Sequence, residues 1–118
     1  MRMHEQGLAR SLLREVKAVW AQHPGSTVSQ VDVQAGPLSG VEPLLLADAF
    51  ARLTQEQFGT SIELVVHQVP LTAICNQCRR EVTIERFRFV CPECGGTRLT
   101  ETQGDCLKLL SINLAAVA

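Results

Sequence analysis

The sequence predicts an α+β fold, two helices packed on a small three-stranded sheet, with a separate cysteine-bearing subdomain inserted into it. Three observations predict it: helix-period apolar stripes in two segments, β-branched or alternating runs in three others, and four of the five cysteines crowded together before the last run. At 118 residues there is room for one compact domain with a small subdomain, and 46% apolar against 19% charged residues suffices to bury a core.

Between Glu5 and Gln22, the residues Leu8, Leu12, Leu13, Val16, Val19 and Trp20 recur every three or four positions with Arg10, Arg14 and Lys17 between them, as in an amphipathic helix. His23-Pro24-Gly25 ends it, because proline cannot continue the hydrogen-bond ladder. Val28 to Ala35 alternates, with Val31, Val33 and Ala35 on one face of a strand and Gln30, Asp32 and Gln34 on the other. After a Gly36-Pro37-Leu38-Ser39-Gly40 loop, Pro43 suits the first turn of a second helix running to Gln57, striped by Leu45, Leu46, Ala49, Phe50 and Leu53 and capped by Gly59.

Ser61 to Val69 reads as a second strand ending at Pro70, and Cys106 to Leu114 as a third, with Leu107 and Leu109 opposite Leu110, Ile112 and Leu114. A lone terminal strand has open edges, so it is expected to rejoin the first sheet. That makes the cysteine segment an insertion: an α/β domain of residues 1–73 plus 104–118, and an inserted subdomain of residues 74–103.

Cys75-Asn76-Gln77-Cys78 and Cys91-Pro92-Glu93-Cys94 are two C-x-x-C hairpins separated by twelve residues. The two-residue gap lets both sulfurs of a hairpin face one centre, and two hairpins supply four thiolates for a closed tetrahedral site, the pattern of a zinc ribbon with rubredoxin-like knuckles. Structural Zn2+ is the leading reading; iron in a rubredoxin-like site and a thioredoxin-type redox pair are the alternatives. Gly95-Gly96 permits the tight turn after the second pair. With only Ile84, Phe87, Phe89 and Val90 as its main apolar residues, the segment depends on the metal for its folding. Cys106 falls outside this spacing and is expected to be a small core residue.

Eleven basic against twelve acidic side chains give a net charge of −1, leaving no broad positive field for nucleic acid or an anionic membrane. Leu109 to Ala118 is about half the roughly 20 residues a spanning helix needs, and His4, Glu5, Arg10, Arg14, Glu15 and Lys17 interrupt any signal-like apolar run. No membrane contact and a cytoplasmic location are therefore expected. No nucleophile–base pairing and no Gly-x-x-x-x-Gly-Lys-[Ser/Thr] loop occur, so the chain reads as a binding protein rather than an enzyme. His23 reads as a solvated helix-end residue and His67 as a partly exposed strand residue. His4 and Glu5 admit two readings: a carboxylate that suits a helix start, or a nitrogen-rich chelate for Ni(II) or Cu(II).

Met3-His4-Glu5 before a Leu-rich helix, Gly36-x-x-Ser39-x-Val41-Glu42 before a second helix, the two cysteine pairs, and Gly104-Asp105-x-Leu107 before a strand containing Ser111-Ile112 follow one another in an order that resembles the HypA-type hydrogenase nickel-incorporation proteins. The resemblance covers essentially the whole chain. It implies a nickel metallochaperone for [NiFe]-hydrogenase maturation, in some organisms also serving urease. Carried over, Ni2+ binding falls on His4, with Glu5 contributing main-chain nitrogen or support, structural Zn2+ on Cys75, Cys78, Cys91 and Cys94, and Glu42 stands near the nickel site.

The implied partners are the hydrogenase maturation GTPase, the [NiFe]-hydrogenase large subunit and urease maturation proteins, and the chain is expected to be a monomer or weak homodimer. Two departures from the family pattern bear on this. Met1-Arg2 precedes Met3-His4, which places the terminal amine two residues too far to close the usual chelate. Either translation starts at Met3, or His4 binds with the Met3 and Glu5 amides and a side chain such as Glu42. Cys106 stands where the family often has glutamate.

The competing class is a zinc-ribbon module that binds protein or nucleic acid, with Arg79, Arg80, Arg86, Arg88 and Arg98 as its basic surface. Glu81, Glu85, Glu93 and Glu101 leave the segment Cys75 to Gln103 at only +1, which predicts weak phosphate binding. A small rubredoxin-like electron carrier is a third reading and predicts coloured protein.

Overall fold

A computed structural model of the chain describes residues 3–104 and 106–116. Met1, Arg2 and Asp105, each singled out in the sequence, lie outside the described residues. The elements follow in the order α1 (Met3–Trp20), β1 (Ser26–Ala35), a short 3-10 turn (Pro37–Ser39), α2 (Pro43–Phe58), β2 (Glu63–Gln68), β3 (Leu71–Cys75), β4 (Glu81–Ile84), β5 (Leu99–Gln103) and β6 (Leu107–Ala116). The strands form two three-stranded sheets, ordered β2-β1-β6 and β4-β3-β5. The last strand does rejoin the first sheet. The cysteine segment builds a second sheet from strands of four and five residues, which the sequence reading did not contain.

The chain divides into two compact units. Unit 1 takes the chain up to Val33, Val41–His67 and the chain from Leu109 onward; unit 2 takes Gln34–Gly40 and Gln68–Lys108.

In unit 1 the predicted stripe of α1 is buried at Leu12, Leu13 and Val16 and extends back to Ala9, at the three- and four-residue spacing of one helix face. Its C-terminus tightens: Gln22 N–H donates to Val19 O at 3.0 Å and His23 N–H to Trp20 O at 2.9 Å. The Trp20 indole then donates to Ser26 O at 2.7 Å, fixing the turn into β1. Helix α2, which packs against α1, starts on Glu42, whose carboxylate accepts from Leu44 N–H at 3.4 Å and Leu45 N–H at 3.1 Å. It ends on Gly59 at φ 78°, where Gly59 N–H donates to Gln55 O, a left-handed cap open to glycine at little cost.

Leu46, Phe50 and Thr54 bury one face of α2. The Thr54 hydroxyl is fully satisfied, donating back to its own helix and accepting from Ile62 N–H at 2.9 Å. In β1 the predicted alternation holds, with Val31, Val33 and Ala35 buried. On its other face Asp32 accepts from Gln30 at 2.7 Å and from Ser111 at 3.0 Å, with His67 at 3.7 Å. The Gln30 amide first, then the Ser111 hydroxyl and the His67 ring, outweigh partial desolvation and hold this carboxyl below its usual range.

Unit 2 has a smaller interior of Leu71, Ala73, Cys75, Val82, Ile84 and Cys91, with Cys78 and Leu99 against it. Strand β3 pairs antiparallel with β4, Leu71 opposite Ile84 and Ala73 opposite Val82, and with β5 through a register break at Thr72/Ala73. Gly36–Gly40 belongs here because its backbone is bound to this unit: Leu38 N–H donates to Gly104 O and Val69 N–H to Ala35 O, both at 3.0 Å. A Cβ on Gly36 would sit 2.0 Å from the Gly104 Cα, so the two motif glycines exist to let two backbones touch.

The half-buried residues of β6 change parity midway, from Leu107 and Leu109 to Ile112 and Leu114. Leu110 is half exposed. Cys106 corrects an expectation: it is exposed rather than a core residue. It occupies a bend ahead of β6, where strand alternation has not yet begun to direct side chains inward.

Candidate metal centre

The two cysteine hairpins are built alike. Cys75 closes β3 and its carbonyl accepts from Arg79 N–H at 2.8 Å; the Cys91 carbonyl accepts from Gly95 N–H at 2.8 Å. In each, the residue after the second cysteine has positive φ, 64° at Arg79 and 77° at Gly95. The second hairpin uses the glycine read from the sequence, whereas the first forces an arginine into the same left-handed backbone, at about 1 kcal/mol or more. Nothing in local composition marks Arg79 for that role; only the repeat of C-x-x-C-x could have pointed to it.

These turns bring four sulfurs together. Sγ of Cys75 lies 3.6 Å from that of Cys94, Sγ of Cys78 lies 3.7 Å from that of Cys91, and all four fall within 4.8 Å of one another. A tetrahedron with metal–sulfur bonds of about 2.3 Å has edges near 3.8 Å, so the cluster has the size a tetrahedral thiolate ion requires. Cys75 and Cys91 are buried and Cys94 is exposed.

The thiols do not ionise alike. The N–H groups of Cys78 and then Gln77 point at the Cys75 sulfur and lower its pKa to about 6. At Cys94 the Gly96 N–H also favours the thiolate, but the Cys75 sulfur and burial override it and push the pKa up to about 12. At Cys78 the Arg80 N–H is likewise outweighed by burial and by the neighbouring sulfurs, and its pKa rises. One thiolate is ready at neutral pH; four together need a cation among them.

The predicted nickel residues lie in unit 1, at the beginning of α1. His4 is exposed, at the beginning of α1 as the described residues show it. The Glu5 side chain is 1% exposed, and neither Oε1 nor Oε2 has a hydrogen-bond partner among the described residues. A buried carboxylate left unpaired is costly unless something cationic or proton-donating reaches it. Glu42, the third predicted residue, spends its carboxylate capping α2. His67 is exposed beside Asp32, and His23 is exposed at the end of α1, as their sequence readings had them. Among the described residues the only group of three or more metal-type ligands is the four-cysteine cluster, and no helix is long and apolar enough to cross a membrane.

The family model described as "Hydrogenase/urease nickel incorporation, metallochaperone, hypA" matches residues 3–114. A hydrogenase maturation factor HypA of Synechococcus sp. is 33% identical over 91% of this chain and 83% of its own length. Another from Shewanella baltica is 26% identical over 95% of this chain and 96% of its own. Among solved structures, the solution structure of the Ni metallochaperone HypA from Helicobacter pylori superposes with a TM-score of 0.64 at 21% identity, covering 97% of each chain. A second HypA solution structure gives 0.67 at 22% identity, covering 98% of this chain and 99% of the other. At these identities the structural likeness speaks for the fold.

Proposed function

Since the chain belongs to the HypA family of hydrogenase/urease nickel-incorporation metallochaperones, we propose that it binds Ni(II) at the start of α1 and delivers it during [NiFe]-hydrogenase maturation, without catalytic activity of its own. The observation that carries this reading is an exposed imidazole, His4, at the beginning of α1, followed in sequence by the buried carboxyl of Glu5, which has no hydrogen-bond partner among the described residues. On this reading His4 takes the ion from solvent, and the buried carboxylate of Glu5, one residue on, adds negative charge nearby. Glu42, already bonded to two amides, acts on this site as a fixed charge rather than as a ligand. An exposed site on a helix end is suited to loading and release, whereas a closed sulfur cage is not.

The four cysteines are assigned to structural Zn2+, by the size of their cluster and the ionisation already favoured at Cys75. Zinc bound there supplies a cross-link for unit 2 and, with all four positions taken by sulfur, no open position for substrate. Transfer then runs through protein contacts in the cytoplasm, with the hydrogenase maturation GTPase, the hydrogenase large subunit and urease maturation proteins as partner classes. Calorimetric titration of Ni(II) into wild type, His4→Ala, Glu5→Gln and a chain beginning at Met3 tests this. His4→Ala should weaken binding by tenfold or more and Glu5→Gln by less; unchanged affinity in His4→Ala overturns the site.

A further inference from the structure

The second sheet ends on an open edge. In the order β4-β3-β5, Glu81–Ile84 pairs with β3 on one side and with no strand on the other, and no backbone bond of a turn or loop reaches it among the described residues. A row of unpaired N–H and C=O groups is a template for one more extended segment. A cleft of about 530 Å³ runs here. Its lining takes Glu81, Val82 and Thr83 in succession, and since neighbouring side chains of a strand point to opposite faces, a cavity that touches all three follows the strand's edge. No residue of β3 lines it, so that edge is the open one. Val90 and Pro92, on either side of Cys91, add aliphatic carbon to the lining.

The charge of the cleft identifies its occupant. Glu81, Glu85 and Glu93 stand exposed around it against one guanidinium, Arg88. Glu93 lies 3.5 Å from Arg80, while the carboxylates of Glu81 and Glu85 make no ion pair or hydrogen bond among the described residues. Between Glu85 and Arg88 the chain turns through Arg86 and Phe87 at positive φ, 55° and 57°, and leaves Phe87 56% exposed, with Phe89 and Val90 exposed after it. Carboxylates set over Val82, Val90 and Pro92 suit a lysine or arginine, whose head meets the charge while its aliphatic stem lies on apolar carbon. A segment laid along the edge alternates its side chains, so basic residues at every second position meet the carboxylates and those between them take up apolar contact. An acidic segment or a nucleic acid meets the wrong sign.

We propose that β4 is a docking edge for a basic, extended segment of a partner protein, which joins the second sheet as an added strand and sets lysine or arginine side chains on Glu81 and Glu85. The edge lies in unit 2 and stands whether or not His4 holds nickel. The test uses the full, metal-loaded chain and a short labelled peptide of alternating lysine and valine. Two counterparts carry glutamate for every lysine, or a methyl group on every backbone nitrogen. Fluorescence anisotropy should show saturable binding of the first peptide, about tenfold tighter or more than of either counterpart. Glu81→Lys combined with Glu85→Lys should weaken it about tenfold or more, because like charges then face each other. The milder pair Glu81→Gln and Glu85→Gln should weaken it by less, and gives the answer if metal content or melting temperature shows the lysine pair to be misfolded. Glu15→Lys, the same change of charge at an exposed position of α1, should leave binding unchanged. Amide shifts on binding should fall on Glu81–Glu85 and Val90–Glu93. Absence of saturable binding, equal binding of either counterpart, or equal loss in Glu15→Lys would overturn the proposal. So would dilution-dependent shifts along Glu81–Ile84 without peptide, the mark of a second copy on this edge.

Discussion

Unit 1 and unit 2 are each built on a three-stranded sheet, with two α-helices in the first and, among the described residues, none in the second, and they are held together by different means. Unit 1 buries Leu12, Leu13, Val16, Val31, Val33, Leu46, Phe50 and Leu64, large side chains drawn from two helices and two strands. The interior of unit 2 has no aromatic residue, and two of its six members are cysteines; Phe87 and Phe89 lie outside on the surface. Where apolar burial is ample, the fold tolerates a buried carboxyl at Glu5 without a partner among the described residues, which is where the proposed labile site would lie. Where it is meagre, the proposed zinc would supply by coordination what packing does not, and would then not be the ion given up in transfer.

That contrast is broken most forcefully by removing the metal. Chelation, or Cys75→Ser, should remove a folding contribution on the order of 10 kcal/mol or more. Amide exchange should then lose protection across Leu71–Cys75 and Leu99–Gln103 while Met3–Trp20 and Pro43–Phe58 keep theirs. Loss of protection in both units at once would show that they do not depend on different forces. The complementary cut is Phe50→Ala, fully buried on α2, which should destabilise unit 1 by about 3–5 kcal/mol and leave zinc content at one per chain. The smallest effect sharpens the comparison within unit 2. Arg79→Gly gives the first hairpin the residue that the second already has at Gly95, and should raise the melting temperature of the metal-bound chain by roughly 1 kcal/mol of stability.

Much of this was legible because it is local. The stripes of α1 and α2, the alternation of β1, the cap at Gly59 and the two-residue gaps of the cysteine pairs each lie within a few positions of one another, and geometry over that range follows from chain chemistry alone. The second sheet was not legible: β4 and β5 are four and five residues long, and the sequence Leu99-Thr100-Glu101-Thr102-Gln103 carries no apolar alternation. Cys106 was misplaced because apolar character says nothing about whether a residue precedes or follows a bend.

By itself, then, the sequence determined α1, α2 and the strands of the first sheet, the four-cysteine cluster and the family, since these depend on residue type and spacing along the chain. Only the tertiary structure decided that Glu5 is sealed in without a partner, that Glu42 is occupied as a cap, that Gly36 and Gly104 meet, and that Phe87 is turned outward beside an acidic cleft. Burial, close approach and exposure are set by what distant segments place around a residue, and no periodicity encodes them.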